Sequence, residues 1–201
     1  MNMSEMRIMF KNIEGFEEIG QDIFVYRGFL SFSELNTIQS EINSLSEDDW
    51  KFAPINDRMY NKVSFPNNIL NPIRERIISF LPEGYFLGQG TSFVRLFKGD
   101  DWGIHSDAHD FLPIREKSAQ LKDDEPFEWA DNERWGLVLY FNDFEGGELY
   151  YPEQNIEYKQ KPGDLVIHSA EKHCAHGVRT VKSAIRYSHS NHIFDKIKVP
   201  I

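Results

Sequence analysis

The tripeptide His105-Ser106-Asp107, near the middle of the chain, is the first candidate for metal chemistry. Side chains at positions i and i+2 of an extended segment point to the same side, so His105 and Asp107 are placed to share one metal ion. Imidazole and carboxylate groups are suitable ligands for Fe(II), Mn(II) and Zn(II). Because such tripeptides also occur by chance on surface turns, the assignment depends on a third ligand from elsewhere in the chain.

Three histidines are candidates for that third ligand: His168, His173 and His176. His176 begins a predicted strand directly after a loop, which places it at the mouth of a barrel, where ligand sites lie. His168 ends a predicted strand and is expected beside the ligands, whereas His173 lies in a polar loop and is expected in solvent. We therefore favour His105, Asp107 and His176. This two-histidine, one-carboxylate set leaves coordination positions open, as in non-haem Fe(II) oxygenases.

An arginine ten residues after His176 predicts a binding site for an anion. Arg186 and Ser188 share one face of a β-prone run, and a guanidinium on the inner face of a barrel is costly unless an anion pairs with it. Arginine binds a carboxylate through two parallel hydrogen bonds, to which a serine hydroxyl can add a third. The alternative is that Arg186 pairs with one of the many acidic residues. Tyr140, in a second apolar run, would bury its ring and need a partner for its hydroxyl.

The elements before the candidate ligands are predicted to form a helical support. Residues 1–20 are weakly patterned and are expected to form a peripheral strand or an arm. Ser31 and Glu34 have the spacing of a capping box at the start of a helix. This helix is expected to carry one apolar stripe, formed by Leu35, Ile38, Ile42 and Leu45. A polar loop is predicted over residues 51–68, and Asn71-Pro72 is predicted to begin a second helix.

From residue 85 onward the pattern becomes strand-like. The predicted strands cover residues 85–87, 91–97, 135–141, 148–151, 164–168, 176–181 and 184–194. Many short strands separated by turn residues are typical of a β-sandwich or barrel. Between them, residues 109–134 are polar and acidic and predict a long loop, either a lid or a solvated insertion. At this length the chain is expected to form one domain over residues 1–201, with helical support over 1–84 and a β core over 85–195.

Composition excludes several functional classes. The formal net charge of −10 disfavours nonspecific binding to nucleic acid, which needs lysine and arginine. A single cysteine, Cys174, permits no internal disulfide and is expected to be a small buried apolar residue. The first ten residues lack the apolar region of a signal peptide, and the apolar runs are too short to span a membrane. A cytoplasmic location fits these features, and no pattern predicts an oligomeric state.

Seven short motifs in order resemble a known superfamily. They are Arg95-Leu96-Phe97-Lys98-Gly99, His105-Ser106-Asp107, Leu139-Tyr140-Phe141-Asn142, Glu145-Gly146-Gly147-Glu148-Leu149, Lys161-Pro162-Gly163-Asp164, His176-Gly177-Val178 and Arg186-Tyr187-Ser188. Together they resemble the Fe(II)/2-oxoglutarate-dependent oxygenase superfamily and are most similar to its prolyl 4-hydroxylase-like branch. Each motif is modest alone, but their order makes the combined resemblance specific.

The resemblance implies a mainly β fold, a double-stranded β-helix (a cupin-like jelly roll) with N-terminal helices packed on one sheet. The residues that it implies for Fe(II) are His105, Asp107 and His176. The residues that it implies for the C5 carboxylate of 2-oxoglutarate are Arg186, Ser188 and Tyr140. Dioxygen would be the second co-substrate, and ascorbate would be a reductant compatible with the family. The implied reaction hydroxylates an unactivated C–H bond, for example of a prolyl residue in a peptide or protein, and releases succinate and CO2.

One position departs from the resemblance. The branch often carries a tyrosine just before the Lys-Gly or Pro-Gly turn, where this chain has Phe97, which shifts the expected hydrogen bonding to Tyr140. The retained carboxylate of Asp107 argues against the halogenases of the superfamily, which have a small residue there. Two other functions stay open: a cupin-like module that binds a metal or ligand without turnover, and a nucleic-acid demethylase of the same superfamily. The substrate is either a peptide or protein, or a small molecule.

Overall fold

Two antiparallel sheets face each other in this protein, as seen in a computed structural model that describes residues 3–55, 58–64, 67–88, 92–107 and 133–195. The helices are α1 (Met3–Asn12), α2 (Phe32–Ser44) and α3 (Asn67–Ile78). The first eleven strands are β1 (Phe16–Gly20), β2 (Ile23–Tyr26), β3 (Lys51–Ile55), β4 (Arg58–Ser64), β5 (Tyr85–Leu87), β6 (Ser92–Leu96), β7 (Trp102–His105), β8 (Glu133–Tyr140), β9 (Glu145–Gly146), β10 (Leu149–Tyr151) and β11 (Ile156–Tyr158). The strands that follow are β12 (Leu165–Ser169), β13 (His176–Val178), β14 (Val181–Ser183) and β15 (Arg186–Asp195).

The larger sheet has the order β1-β2-β12-β8-β15-β6-β4-β3, and β5 pairs with β15 beside this path. The smaller sheet has the order β11-β10-β13-β7, and β14 pairs with β9 as a separate two-stranded ribbon. This arrangement, mainly β with helices on one sheet, confirms the predicted jelly-roll fold. Within the described part of the chain, no helix is long and apolar enough to cross a membrane.

Alternation along the strands of the larger sheet separates two apolar layers. In β8, Leu137 and Leu139 join the layer beneath the helices, whereas Val138 and Tyr140 face the smaller sheet. The same period of two applies to β12, where Ile167 faces the helices and Val166 faces the smaller sheet. The space between the two sheets therefore receives every second side chain of the central strands.

The helices cover the outer face of the larger sheet. Helix α2 begins at the predicted capping box: the Ser31 hydroxyl accepts from the Glu34 amide, and the Glu34 carboxylate accepts from the Ser31 amide. The expected stripe is confirmed, since Ile38 and Ile42 are buried and Leu35 and Leu45 pack against the same core.

Two predictions for the N-terminal part are wrong, and a third holds only in part. Within residues 1–20, Phe16–Gly20 form the expected peripheral strand, but Met3–Asn12 form a helix and bury Phe10 against Trp135, with 5.3 Å between ring centroids. The predicted loop over residues 51–68 contains the β3–β4 hairpin and the start of α3. Helix α3 begins before Asn71-Pro72, because the apolar stripe already includes the fully buried Leu70. Its proline costs one backbone hydrogen bond near the helix start.

Most of the long loop predicted for residues 109–134 lies outside the described residues; its last two residues belong to β8. Strands β1 to β4 also show that residues 1–84 contribute to the larger sheet as well as the three helices. The single-domain assignment, with its division at residue 85, stays a prediction.

Candidate metal centre and buried arginine

Two paired strands of the smaller sheet bring the HxD motif and the later histidine together. Strand β7 ends at His105 and strand β13 begins at His176, and these two residues are opposite each other in the antiparallel register. Their ring centroids lie 4.4 Å apart. Asp107 follows two residues after His105, so that one ligand atom from each of the three residues lies within 4.8 Å of the other two.

Backbone carbonyls fix the orientation of both imidazoles. His105 Nδ1 lies 3.0 Å from the Gly103 carbonyl, and His176 Nδ1 lies 3.1 Å from the Cys174 carbonyl. Since a carbonyl oxygen can only accept, each Nδ1 carries a proton and donates it. Nε2 is then the ring nitrogen whose lone pair a metal can use, and His105 Nε2 faces Asp107 Oδ1 at 3.5 Å.

The protonation states also suit metal ligands. Burial alone would raise the pKa of the Asp107 carboxyl, but His176 and a hydrogen bond from His168 hold it well below its ordinary value. Burial lowers the pKa of His176, and the neighbouring His168 and His105 add to this effect against the opposing charge of Asp107. One carboxylate and two imidazoles form a donor set that fits a divalent first-row ion such as Fe(II), with coordination positions left open.

A buried arginine lies in the same pocket as these three side chains. Arg186 is 4% exposed, and its Nη1 donates to Ser188 Oγ at 2.8 Å. Among the residues that the structure describes, no carboxylate forms an ion pair with Arg186, and its Nε has no hydrogen-bond partner. Burial lowers the pKa of the guanidinium, which shows how poorly this environment solvates the charge.

Tyr140 lies beside this arginine. The Arg186 guanidinium carbon is 5.2 Å from the centroid of the Tyr140 ring, and Tyr140 is fully buried. Its hydroxyl forms no hydrogen bond of good geometry within the described ranges. Burial raises the pKa of Tyr140 despite the nearby Arg186, so the hydroxyl stays protonated and can donate. A buried cation with unused donors beside a buried hydroxyl fits an incoming carboxylate.

The rest of the pocket wall is largely apolar. Its apolar side chains include Val94, Leu96, Trp102, Leu137, Val138, Leu149 and Val178. These side chains come from both sheets, so the pocket is the space that the jelly roll leaves between its layers. Trp135 does not line the pocket, since it is fully buried in the layer beneath the helices.

The structure therefore brings together the predicted site residues His105, Asp107 and His176, and it places Arg186 and Ser188 in the same pocket. Their roles toward a metal and an anion stay predictions. The prediction that His173 is solvated is wrong: the side chain is half-buried, and its Nε2 lies 2.9 Å from Asp22 Oδ2. Cys174 is buried, as expected for a small apolar residue.

Phe97, which stands where the family pattern has a tyrosine, contacts a second arginine, Arg95. The Arg95 guanidinium lies 4.8 Å from the Phe97 ring centroid and 4.3 Å from that of Trp50, and it pairs with Glu47. Arg95 and Phe97 are not among the residues that line the pocket. Of the three residues predicted for the anion, Arg186 and Ser188 line the pocket, whereas Tyr140 contacts Arg186 and is not among the lining residues.

Two residues beside the candidate metal centre were not predicted from the sequence. Tyr151 contacts the ring of His168, and Gly136 is opposite His168 in the pairing of β8 with β12. A glycine inside a strand often marks a close approach of other groups, so Gly136 carried a usable signal. For Tyr151, the only signal in the sequence was its position two residues after Leu149 in β10, which places both side chains on the same inward face.

Comparisons with known proteins support the fold. No family model matches the chain, and no curated protein matches it. Among solved structures, it is similar to a viral collagen prolyl hydroxylase from Paramecium Bursaria Chlorella virus-1 in complex with 2OG, with a TM-score of 0.62 and 18% identity over 89% of this chain and 98% of that one. It is also similar to a Pseudomonas putida prolyl-4-hydroxylase, with a TM-score of 0.62 and 13% identity over 96% and 99%.

A third similar structure is a Trichoplax adhaerens prolyl hydroxylase in complex with a hypoxia inducible factor oxygen degradation domain peptide fragment. It has a TM-score of 0.62 and 15% identity, covering 96% of this chain and 90% of that one. At such low identities a likeness over nearly the whole of both chains establishes the fold. This chain therefore has the fold of the prolyl hydroxylases among the 2OG-Fe(II) oxygenases.

Proposed function

We propose that this protein is an Fe(II)- and 2-oxoglutarate-dependent dioxygenase that hydroxylates an unactivated C–H bond. The observation that carries the proposal is the buried Arg186, which shares one pocket with His105, Asp107 and His176 and has no carboxylate partner within the described part of the chain. A module that only bound a metal would have no need of this unneutralised buried cation. A dicarboxylic co-substrate explains both ends of the pocket.

In this proposal, the three ligands hold Fe(II), and Arg186 binds the C5 carboxylate of 2-oxoglutarate, with Ser188 and Tyr140 as further donors. When bound, the iron and 2-oxoglutarate supply the oxidising chemistry, in which one oxygen atom of O2 enters the substrate C–H bond and the other enters succinate as CO2 is lost. The chain itself positions the reactants, and its apolar walls exclude water from the reacting atoms. The C–H step requires no acid or base from a side chain.

The substrate that we propose first is a prolyl residue in a peptide or protein, with a small molecule as the second option. The support is the fold shared with three prolyl hydroxylases, one of which was solved with a bound peptide. The net charge of −10 favours a basic or neutral substrate and disfavours a nucleic-acid demethylase. A screen of peptides and small metabolites for stimulated formation of succinate tests this part.

The reaction type is tested by anaerobic titration with Fe(II) and 2-oxoglutarate. We expect the weak visible charge-transfer band of the chelate, followed by succinate formation when air is admitted. Asp107→Ala is expected to lose both signals because it removes a ligand. If the wild-type protein gives neither a band nor succinate, the proposal is wrong. Metal binding without turnover, with or without 2-oxoglutarate, would instead favour the cupin-like binding module.

A further inference from the structure

A chain of three buried side chains leads into the candidate metal centre from the inner face of β12 and β10. The Tyr151 hydroxyl lies 2.9 Å from His168 Nδ1, and His168 Nε2 lies 3.2 Å from Asp107 Oδ2. His168 is 1% exposed and Tyr151 is fully buried. The His168 ring also packs against His176, with 4.1 Å between centroids. One imidazole therefore touches two of the three candidate ligands.

The direction of these hydrogen bonds is fixed by the carboxylate. A carboxylate oxygen accepts hydrogen bonds, so the 3.2 Å contact is one that His168 donates from Nε2 to Asp107 Oδ2. The other ring nitrogen, Nδ1, lies 2.9 Å from the Tyr151 hydroxyl, which can donate to it. The order Tyr151 to His168 to Asp107 is thus a consistent relay of donors.

The two oxygens of Asp107 consequently have different surroundings. Oδ2 accepts the hydrogen bond from His168 Nε2, whereas Oδ1 lies 3.5 Å from His105 Nε2, which is itself a candidate ligand atom. A carboxylate oxygen that already accepts a hydrogen bond is a weaker metal ligand than its free neighbour, so the contact with His168 favours binding through Oδ1. Binding through both oxygens would fill a coordination position that a facial triad must leave open.

The contact between His168 and Asp107 depends on a glycine in the neighbouring strand. Gly136 is opposite His168 in the register of β8 and β12. A Cβ at Gly136 would overlap with Asp107 Oδ2 and lie 2.7 Å from His168 Nε2. Any larger residue would separate the imidazole from the carboxylate, so the missing side chain at Gly136 is a condition for the hydrogen bond.

We propose that His168 is a positioning residue for the metal centre: held by Tyr151, it occupies Asp107 Oδ2 and so restricts the carboxylate to a single-oxygen ligand through Oδ1. The inference rests on the proposed function in taking Asp107 as a metal ligand. It goes further in assigning the geometry of that ligand to two neighbouring side chains, His168 and Tyr151. Groups that orient a metal ligand in this way commonly affect metal affinity by about 10- to 100-fold.

The test compares two substitutions of equal length. His168→Gln keeps an N–H donor near the position of Nε2, whereas His168→Met fills similar space without a donor. The probe is Co(II) alone, titrated into the metal-free protein and followed by its visible absorption. We expect His168→Met to bind Co(II) about 10- to 100-fold more weakly than the wild type, and His168→Gln to recover most of that loss.

The spectrum at saturating Co(II) is the readout that a merely structural role would not change. In His168→Met, Asp107 is free to bind through both oxygens, so the intensity and position of the Co(II) bands should differ from those of the wild type and of His168→Gln. Tyr151→Phe, which removes only a hydroxyl, should shift the affinity in the same direction by a smaller factor. This variant keeps the test decisive even where His168→Met fails to fold.

Equal Co(II) affinities and identical spectra for wild type, Tyr151→Phe and whichever His168 variants fold would overturn the inference while leaving the proposed dioxygenase intact. The predicted series in a protein that makes no succinate would support the positioning role and refute the proposed function. Failure of the wild-type protein to bind Co(II) would refute both.

Discussion

At the scale of single residues, the buried charge of Arg186 is the main reason to expect an anionic co-substrate. Replacing this side chain with Gln removes the charge and keeps a hydrogen-bonding head. The loss of a charge-assisted pair is worth about 1.5–3 kcal/mol, so we expect the KM for 2-oxoglutarate to rise about 10- to 100-fold, with a smaller change in kcat. Arg186→Lys keeps the charge without the planar fork, so its KM for 2-oxoglutarate should lie between those of the wild type and Arg186→Gln. Steady-state kinetics with varied 2-oxoglutarate measures these constants.

The control for that experiment is Arg27→Gln, which removes an exposed cation that pairs with Glu17 and is not among the residues that line the pocket. It should leave the KM for 2-oxoglutarate unchanged. An unchanged KM in Arg186→Gln as well would show that the co-substrate carboxylate binds elsewhere.

A second prediction at this scale concerns the single thiol. Burial raises the pKa of Cys174 to about 12, with Asp22 contributing in the same direction. Because only the thiolate reacts, and a raised pKa keeps the thiol protonated at pH 8, the folded protein should not react with a thiol reagent such as DTNB. The same reagent should label one thiol per chain after unfolding in guanidinium. Rapid labelling of the folded protein at pH 8 would contradict the burial of Cys174.

At the scale of elements, strands β7 and β13 bring the candidate ligands together, and Gly136 on β8 of the larger sheet limits the space beside them. Gly136→Ala places a methyl group against Asp107 and His168 and should lower metal affinity as well as stability. Overpacking of this kind costs about 1–3 kcal/mol of unfolding free energy. Gly20→Ala is the matched control, because its Cβ would meet Ile156 instead. Denaturant unfolding should show a loss in both variants, whereas a Co(II) titration should show weaker binding only in Gly136→Ala.

The N-terminal cap of helix α2, which packs on the outer face of the larger sheet, leads to a prediction about stability. Ser31→Ala removes the side-chain half of the capping box and should lower the free energy of unfolding by about 1 kcal/mol. Ser40→Ala, an exposed position within the same helix, should cost nothing and slightly favour the helix. Urea unfolding curves for both variants measure the difference. Equal stability of the two variants would mean that the cap contributes nothing to α2.

The sequence predicted those elements whose signals lie in residues close together along the chain. The capping box and stripe of α2 were readable, and so was the alternation that turns Arg186 and Ser188 inward on β15 while Tyr187 packs toward the helix side. The start of the β3–β4 hairpin was not, because Pro54 reads as a loop signal. Strand β3 lies at the edge of the sheet, where a missing backbone donor is tolerated.

The same distinction applies to the candidate site. The spacing of His105 and Asp107 and the position of His176 after a loop were enough to gather three candidate ligands. The contact of Tyr151 with His168 depends on two strands of different sheets facing each other across the core. No spacing within the sequence encodes that approach, since it follows from how the layers stack.

At the scale of the whole molecule, the pocket joins the two sheets. His105 and His176 belong to the smaller sheet, whereas Arg186 and Ser188 belong to the larger one. A bound metal with 2-oxoglutarate would therefore connect both layers and stabilise the folded chain. At a ligand concentration 100 times Kd, linkage contributes about 2.7 kcal/mol, which for a chain of this size corresponds to a rise in Tm of about 5–10 °C.

Thermal unfolding with Mn(II) alone, and with Mn(II) plus 2-oxoglutarate, measures this prediction and separates the two ends of the pocket. The wild type should gain stability in both steps, because each ligand binds the folded state only. Arg186→Gln should keep the step due to Mn(II) and lose most of the further step, whereas Asp107→Ala should lose both. A full two-step rise in Asp107→Ala would place the metal outside the His-Asp-His cluster, and the link between the sheets would then have to be made by other residues.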